Sequence, residues 1–159
     1  MAKIKIHNIF HTSGQHLLTF PFSPEKADHL PSILYALREE GISLPFIGQS
    51  MDRDGNFSLC LAIAQEDLEW VKAAFQEGLD LPSPPAPEMS KPVAVITLYG
   101  PHLGEIPGIA SSMIQALAVD GIEVSALSAS INSCLLVTPQ PFLPKALHSL
   151  DRVFTIPQK

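Results

Sequence analysis

The chain has 159 residues, of which 46% are hydrophobic and 16% are charged, and its formal net charge is −6 at pH 7. This composition excludes disorder over most of the length, and an acidic balance without a cluster of lysines or arginines argues against a nucleic-acid partner. The amino end has no signal-peptide pattern, and no apolar run approaches the ~18 residues of a membrane span, so we expect a soluble, cytoplasmic protein.

The first half of the chain predicts two strands followed by a helix. The runs IKIHNIF (4–10) and QHLLTFPF (15–22) have strand character, and the HTSG between them predicts a hairpin turn. Apolar residues at helical spacing between Leu30 and Leu37 predict a helix, with Gly41 just past its end and Asp28 as a candidate cap.

Two further strands and a second helix complete this half. Residues 42–50 and 57–64 are predicted as strands joined by an Asp-Gly turn, and residues 66–77 as a helix ending at Gly78. We expect a short closing strand near Leu79 to Leu81.

The segment from Gly78 to Pro92 contains five prolines, which resist both helix formation and strand pairing. It therefore predicts a linker at 82–92. The second half repeats the pattern with a strand at 93–100, a loop at 101–108 and a helix at 109–121. Two strands and a last helix follow, at 122–130, 131–137 and 142–154.

The two halves align with each other. Residues 33–50 match residues 113–130 without a gap, and residues 57–64 match residues 131–138, with Cys60 opposite Cys134. A repeat of roughly 75 to 80 residues is typical of a duplicated small domain.

The predicted fold class is α+β, with two ferredoxin-like βαββαβ units whose antiparallel sheets carry helices on one face. The predicted domains are 15–81 and 93–159. The last five residues are too short for a convincing fourth strand, so we expect the N-terminal strand at 3–10 to complete the sheet of the second unit.

The run VAVITLYGPHLGEIPGIASSMIQALAVDGIEVSALSASINSCLLVTPQPFLPKALHSLDRVF and the opening IKIHNIFHTSGQHLLTF carry a family resemblance. The chain resembles a tandem ACT-domain protein, and more narrowly the regulatory region of aspartate kinase. The resemblance implies a small amino-acid effector, a homodimer and an extra strand ahead of the first unit. Neither a phosphate loop nor room for a kinase domain is present, so we expect no enzymatic activity from the chain alone.

The loop after the first strand of the second half is the main candidate ligand site. Gly100, Gly104 and Gly108 allow close backbone approach, and a helix starting near Pro107 offers free N–H groups and a positive end to a carboxylate. The other candidate ligand contacts in this half are His102, Leu103, Glu105, Ile106, Ser128, Ser130 and Asn132. The alternative is an ordinary surface turn with polar strand ends.

The corresponding loop of the first half, SPEKADHLPS, contains no glycine. The resemblance nevertheless implies an effector contact at Gln49 and Ser50, which stand where the aspartate kinase family keeps a Gln-Asn pair. We expect this first site to be altered in specificity or purely structural.

Other chemistry is not favoured. His7 and His11 on one strand would lie ~13 Å apart, too far for a shared metal ion, and MDRDGN lacks the closing glutamate of a calcium loop. We expect no metal and no cofactor. Both cysteines are predicted to be buried free thiols. Acylphosphatase-like hydrolysis needs an arginine in a phosphate-cradling loop, and neither candidate loop has one.

The sequence thus predicts a non-catalytic, amino-acid-binding regulatory protein that acts through ligand-dependent rearrangement of domains or subunits. The alternative is a subunit that docks on a separately encoded amino-acid biosynthetic enzyme and binds no ligand of its own.

Overall fold

The computed structural model describes residues 3–76 and 87–156. The chain divides into unit 1, which contains Met1–Ser13 and Pro92–Lys159, and unit 2, which contains Gly14–Lys91. The predicted strand near Leu79 to Leu81 and residues 82–86 of the predicted linker lie outside the described residues. In the described ranges, the elements in chain order are β1 (Ile4–Lys5), β2 (Asn8–Phe22), α1 (Leu30–Glu39), β3 (Ile47–Met51), β4 (Phe57–Ala64), α2 (Leu68–Gln76), β5 (Glu88–Met89), β6 (Val93–Tyr99), α3 (Ile109–Val119), β7 (Ala126–Ala129), β8 (Ser133–Pro139), α4 (Leu143–Val153) and β9 (Phe154–Thr155).

Unit 2 is an antiparallel sheet covered by two helices on one face. Strand β4 lies between β3 and β2, and the short β5, which falls within the predicted linker, pairs with the other side of β2. Alternate residues of β4 face α1 and α2, so that Leu61 packs with Phe20, Ile33 and Val71. Burial of each such side chain stabilises the unit by ~1.5 to 3 kcal/mol.

Unit 1 repeats this arrangement with its own helices. Strand β8 pairs with β6 and β7 in antiparallel register, and β2 lies beside β6. Helices α3 and α4 cover one face, where Met113, Leu117 and Leu150 pack on Ile96 and Leu136. The predicted α+β fold with antiparallel sheets and helices on one face is confirmed.

The N-terminal segment belongs to unit 1, as predicted. Strand β1 pairs in parallel with β9, and the buried side chain of Ile6 joins the core under α3 and α4. The backbone N–H of His7 donates to the carbonyl of Tyr99 at 2.8 Å. The carboxyl end, expected to be too short for a strand, contributes the two residues of β9.

The hairpin predicted at HTSG is wrong. Strand β2 runs without reversal from Asn8 to Phe22, and Gly14 sits inside it with φ of 69°. Glycine adopts this left-handed conformation without the steric penalty that other residues incur. Antiparallel pairing with β4 starts one residue later, at Gln15. The glycine therefore lies immediately before the part of β2 that pairs with β4, and the chain keeps its direction there.

Two predicted boundaries in unit 2 also differ. Residues 42–46 do not form a strand, since β3 begins at Ile47, two residues after Pro45, which has no N–H to donate. Helix α1 begins at Leu30 after a 3-10 turn over Pro24–His29, and His29 holds the capping position predicted for Asp28 without a side-chain cap bond.

No helix in residues 3–76 or 87–156 is long and apolar enough to cross a membrane.

Candidate functional site

The loop between β6 and α3 is fastened to the turn between β7 and β8. The N–H of Gly100 donates to the backbone carbonyl of Asn132 at 2.9 Å, and the N–H of His102 donates to the Asn132 side-chain oxygen Oδ1 at 3.2 Å. The N–H of Gly104 donates to the carbonyl of Ile131 at 2.6 Å. Asn132, predicted as a ligand contact, thus holds the loop in place.

Gly104 has a packing role in addition to the expected one. A Cβ added there would lie 2.8 Å from the carbonyl oxygen of Ser130 and 2.9 Å from Cα of Ile131. The missing side chain therefore makes room for the neighbouring turn of the protein itself. At Gly100 an added Cβ would meet its nearest atom, the His7 backbone nitrogen, at 3.5 Å, an ordinary contact.

Gly108 opens helix α3. It is the N-cap residue, with φ of 86° and no side-chain cap hydrogen bond, and its carbonyl accepts from the N–H of Ser112 at 2.8 Å. The helix thus begins at Ile109, two residues after Pro107, near which its start was predicted. The first N–H groups of any helix lack intrahelical acceptors, so an uncapped start leaves donors and the positive end of the helix dipole available.

A cleft of about 220 Å³ lies at this helix start. It contains six of the predicted residues and five that the sequence analysis missed, all from unit 1. Its walls are Leu103, Gly104, Ile106, Pro107, Gly108 and Ser130 from the predicted set, with Ile109, Ala110, Ala129, Ser133 and Cys134 in addition. None of these lining residues is acidic or basic.

The missed wall residues follow from strand alternation. Ala129 of β7 and Cys134 of β8 are directly paired, and Cys134 points into the core that α3 covers. Because alternate residues of a strand share a face, the residues at the ends of β7 and β8 on the side that faces α3 form the cleft wall. The hydroxyls of Ser130 and Ser133, 2.9 Å apart, close the cleft at the turn.

Five predicted residues of unit 1 do not line the cleft in the described structure: Gly100, His102, Glu105, Ser128 and Asn132. His102 adopts a left-handed backbone with φ of 59°, and its ring nitrogen Nδ1 lies 2.8 Å from Glu105 Oε1 on the exposed loop surface. Ser128 is half-buried within β7, opposite Leu135.

Gln49 and Ser50 belong to unit 2. Both are exposed on β3, where Gln49 pairs with Leu59 and Ser50 with Ser58. Ser50 lines a separate depression of about 400 Å³ together with Asp52 and Asn56. Gln49 and Ser50 thus belong to unit 2, whereas all residues that line the α3 cleft belong to unit 1.

The cleft is not equipped for nucleophilic chemistry. Burial raises the pKa of the Cys134 thiol, which favours its neutral form, and the pKa of Cys60 in unit 2 is raised by burial as well. Cys134 is buried as predicted, whereas Cys60 is half-buried and both are free thiols. Across residues 3–76 and 87–156, no group of three or more metal-ligating side chains comes together.

Comparison with protein families shows what the carboxyl-terminal half of the chain resembles. The family model of the ACT domain matches residues 88–152, which run from β5 through α4 and include the whole cleft. Residues 88–152 are therefore similar to an ACT domain. The resemblance drawn from the sequence is confirmed, and the cleft lies at the first helix of the matched region.

The fold is shared with regulatory parts of aspartate kinases. The regulatory subunit of aspartate kinase from Thermus thermophilus, in a ligand-free form, superimposes with a TM-score of 0.81 at 16% identity, covering 94% of this chain and 99% of that one. Aspartate kinase from Clostridium acetobutylicum superimposes with a TM-score of 0.78 at 18% identity, covering 94% of this chain and 35% of that one.

An aspartokinase from Bacillus sp. (strain MGA3) is 26% identical over 133 residues, or 84% of this chain. The chain spans about a third (32%) of the length of this relative. The structural matches show that the chain shares the fold of the aspartate kinase regulatory region.

Proposed function

We propose that the chain is a non-catalytic regulatory protein that binds a small, neutral amino acid in the ACT-domain cleft. The observation that carries the proposal is the uncapped start of α3, which opens at Gly108 into a cleft without charged walls. A helix start of this kind favours a carboxylate, because its free N–H groups and dipole both attract negative charge.

The walls of the cleft argue for the ligand class. Ile106, Ile109 and Ala129 offer apolar surface, and the hydroxyls of Ser130 and Ser133 supply polar groups that can accept from an α-amino group. A charged ligand side chain would find no counter-ion among the lining residues and would have to give up its hydration. We therefore favour a short aliphatic or hydroxylated amino acid over a basic or acidic one.

Regulation would follow from unequal affinity for two states. A ligand that binds one arrangement of the protein more tightly shifts the population towards it, whether the arrangements differ within the chain or between subunits of a homodimer. We propose cytoplasmic amino-acid metabolism as the setting, since the related proteins are aspartate kinases and their regulatory subunits.

The test is titration calorimetry of the full chain against the twenty amino acids, with the variants Ala110→Asp and Ala110→Asn. Ala110 lines the cleft within the first turn of α3. An aspartate there is stabilised by the helix dipole but repels a carboxylate ligand, whereas asparagine has the same size without the charge. We expect the aspartate variant to weaken binding at least about tenfold relative to the asparagine variant, without loss of thermal stability.

Absence of heat with every amino acid would exclude the sensor function. Equal affinity of the two variants would show that the ligand carboxylate does not sit at the start of α3.

A second function is favoured by one comparison. The Thermus thermophilus regulatory subunit is covered over 99% of its length, so a polypeptide of this extent exists elsewhere as a separate subunit. We propose as the alternative that the chain docks on a separately encoded biosynthetic enzyme. Purification from the native cell with and without added amino acids separates the two proposals, because a kinase retained irrespective of ligand supports docking and an isolated homodimer opposes it.

A further inference from the structure

A second cavity in unit 1 lies between α3, α4 and β1, away from the ACT-domain cleft. Its volume is about 450 Å³, within the range of ~300 to 1,000 Å³ that is typical of small-molecule sites. It shares no lining residue with the cleft at Gly108. The lining residues are Lys3, Ile4, Ser112, Gln115, Ala116, Val119, Ser149, Arg152 and Val153.

The charged groups of this lining are both cationic, although the whole chain carries a net charge of −6. Lys3 lies 3.7 Å from Asp151, too far for a hydrogen bond, and Arg152 donates to Asp120. Neither aspartate lines the cavity. Because an ammonium carries three N–H donors and a guanidinium five, both cations retain donors that an anion in the cavity can accept.

The rest of the wall contains both polar and apolar side chains. Ser112 and Gln115 lie along α3, and Ile4 and Val153 supply hydrophobic surface from β1 and α4. Val119, at the end of α3, leaves 74% of its surface exposed beside the cavity. An occupant with an apolar body would cover this surface and gain the free energy of removing it from water.

We propose that this cavity, the α3–α4 cavity, is a binding site for a small amphipathic carboxylate, in which Lys3 and Arg152 hold the acid group and Ile4, Val119 and Val153 hold a short apolar chain. Unit 1 would then have a second ligand-binding site, separate from the ACT-domain cleft. The inference does not depend on the amino-acid site, because the two sites are built from different residues.

The experiment is a titration of the full, isotope-labelled chain followed by two-dimensional amide NMR, with hexanoate as the probe. Acetate has the same charge without the apolar chain, and hexylammonium has the same chain with the opposite charge. We expect saturable shifts with hexanoate at amides of Ser112, Ala116, Val119 and Val153. Acetate should bind at least about tenfold more weakly, and hexylammonium should leave these amides unchanged.

A matched pair of variants tests the cationic contact. Lys3→Gln removes a cation that lines the cavity, whereas Lys5→Gln removes an exposed cation two residues further along the chain, outside the lining. We expect Lys3→Gln to weaken hexanoate binding by about three- to tenfold and Lys5→Gln to leave it unchanged. Neither change touches a core side chain, so both variants should fold.

Three results would overturn the site: no hexanoate shifts at these amides at millimolar probe, equal shifts with hexylammonium, or equal affinities of the two lysine variants. Shifts confined to Ala110 and Ala129 would place the probe in the ACT-domain cleft and would also reject the α3–α4 cavity. Failure of the amino-acid titration would leave these hexanoate shifts unaffected.

Discussion

At the scale of single residues, Gly104 is the position where one added methyl group has no space. The nearest atoms are backbone atoms of Ser130 and Ile131, which cannot swing aside as a flexible side chain would. Gly100, in the same loop, leaves an ordinary van der Waals distance around an added Cβ. The two glycines therefore differ in what they tolerate, although the sequence presents them alike.

We predict that Gly104→Ala lowers the free energy of unfolding by ~1 to 3 kcal/mol, because the β7–β8 turn must move away from the loop. Gly100→Ala, the matched control, should cost less than ~1 kcal/mol. Urea denaturation of both variants beside the wild type measures the difference. Equal losses of unfolding free energy in the two variants would mean that the β7–β8 turn does not exclude a side chain at position 104.

The sequence predicted residue roles well where they depend on local geometry. Gly41 was expected just past the end of a helix, and it adopts a left-handed backbone with φ of 70°. The role of Gly104 depends on a turn almost thirty residues further along the chain. Such a contact leaves no local pattern, so the glycine was assigned to ligand approach.

At the scale of elements, Asp120 joins the end of α3 to α4. Its side chain accepts hydrogen bonds from Ser149 and Arg152, and the ammonium of Lys145 donates to its backbone carbonyl at 2.7 Å. The hydrogen bond from Ser149 is the main cause of a lowered pKa at this carboxyl, and Arg152 and Lys145 act in the same direction. The carboxylate form is therefore the one that holds the two helices together.

The sign of the pH effect follows. A carboxyl whose pKa is lower in the folded state contributes stability above its unfolded pKa of ~3.9 and loses it as the pH falls through the folded value. We predict that Asp120→Asn reduces stability at pH 7 and reduces the loss of stability below about pH 4. Denaturant titrations across this range measure both effects.

Asp54→Asn, on an exposed turn of unit 2, is the control and should leave the acid dependence unchanged. Some dependence should persist in Asp120→Asn, since hydrogen bonds from Asn56 also lower the pKa of Asp52. An unchanged slope would show that the Asp120 carboxylate does not stabilise the α3–α4 contact.

Most elements could be predicted because the spacing of apolar residues indicates which face of a helix or strand packs against a core. The strands at β4, β6 and β8 and the helices α3 and α4 lie close to their expected positions. The hairpin predicted at HTSG was wrong because a glycine with polar neighbours gives the same sequence pattern in a turn and inside a long strand. The cleft walls were half predicted, because Ala129 and Cys134 reach the site only through their pairing across β7 and β8.

At the scale of the whole molecule, unit 1 is built from two separate stretches of chain. Residues up to Ser13 supply β1 and the buried Ile6, and residues from Pro92 onward supply the remaining elements. A fragment of residues 92–159 lacks a core side chain and leaves β9 without its partner.

We predict that this fragment alone does not unfold cooperatively, and that a synthetic peptide of residues 3–13 restores a thermal transition when added in trans. The same peptide with Ile6→Asp should restore nothing, because a carboxylate cannot replace the buried side chain. Circular dichroism melts measure the transition. A fragment that melts cooperatively without peptide would show that the N-terminal segment is dispensable.

Because the chain is synthesised from its amino end, the two stretches that form unit 1 leave the ribosome at different times. Unit 2 is complete once residue 91 has left the ribosome, whereas residues 3–13 wait for partners that are translated last. At roughly 5 to 20 residues per second, the wait lasts about 4 to 16 s before β6 begins to appear, and longer before β9 does. During that interval Ile6 lacks the rest of its core and β1 lacks its partner β9, so the N-terminal segment of the nascent chain is exposed to chaperones.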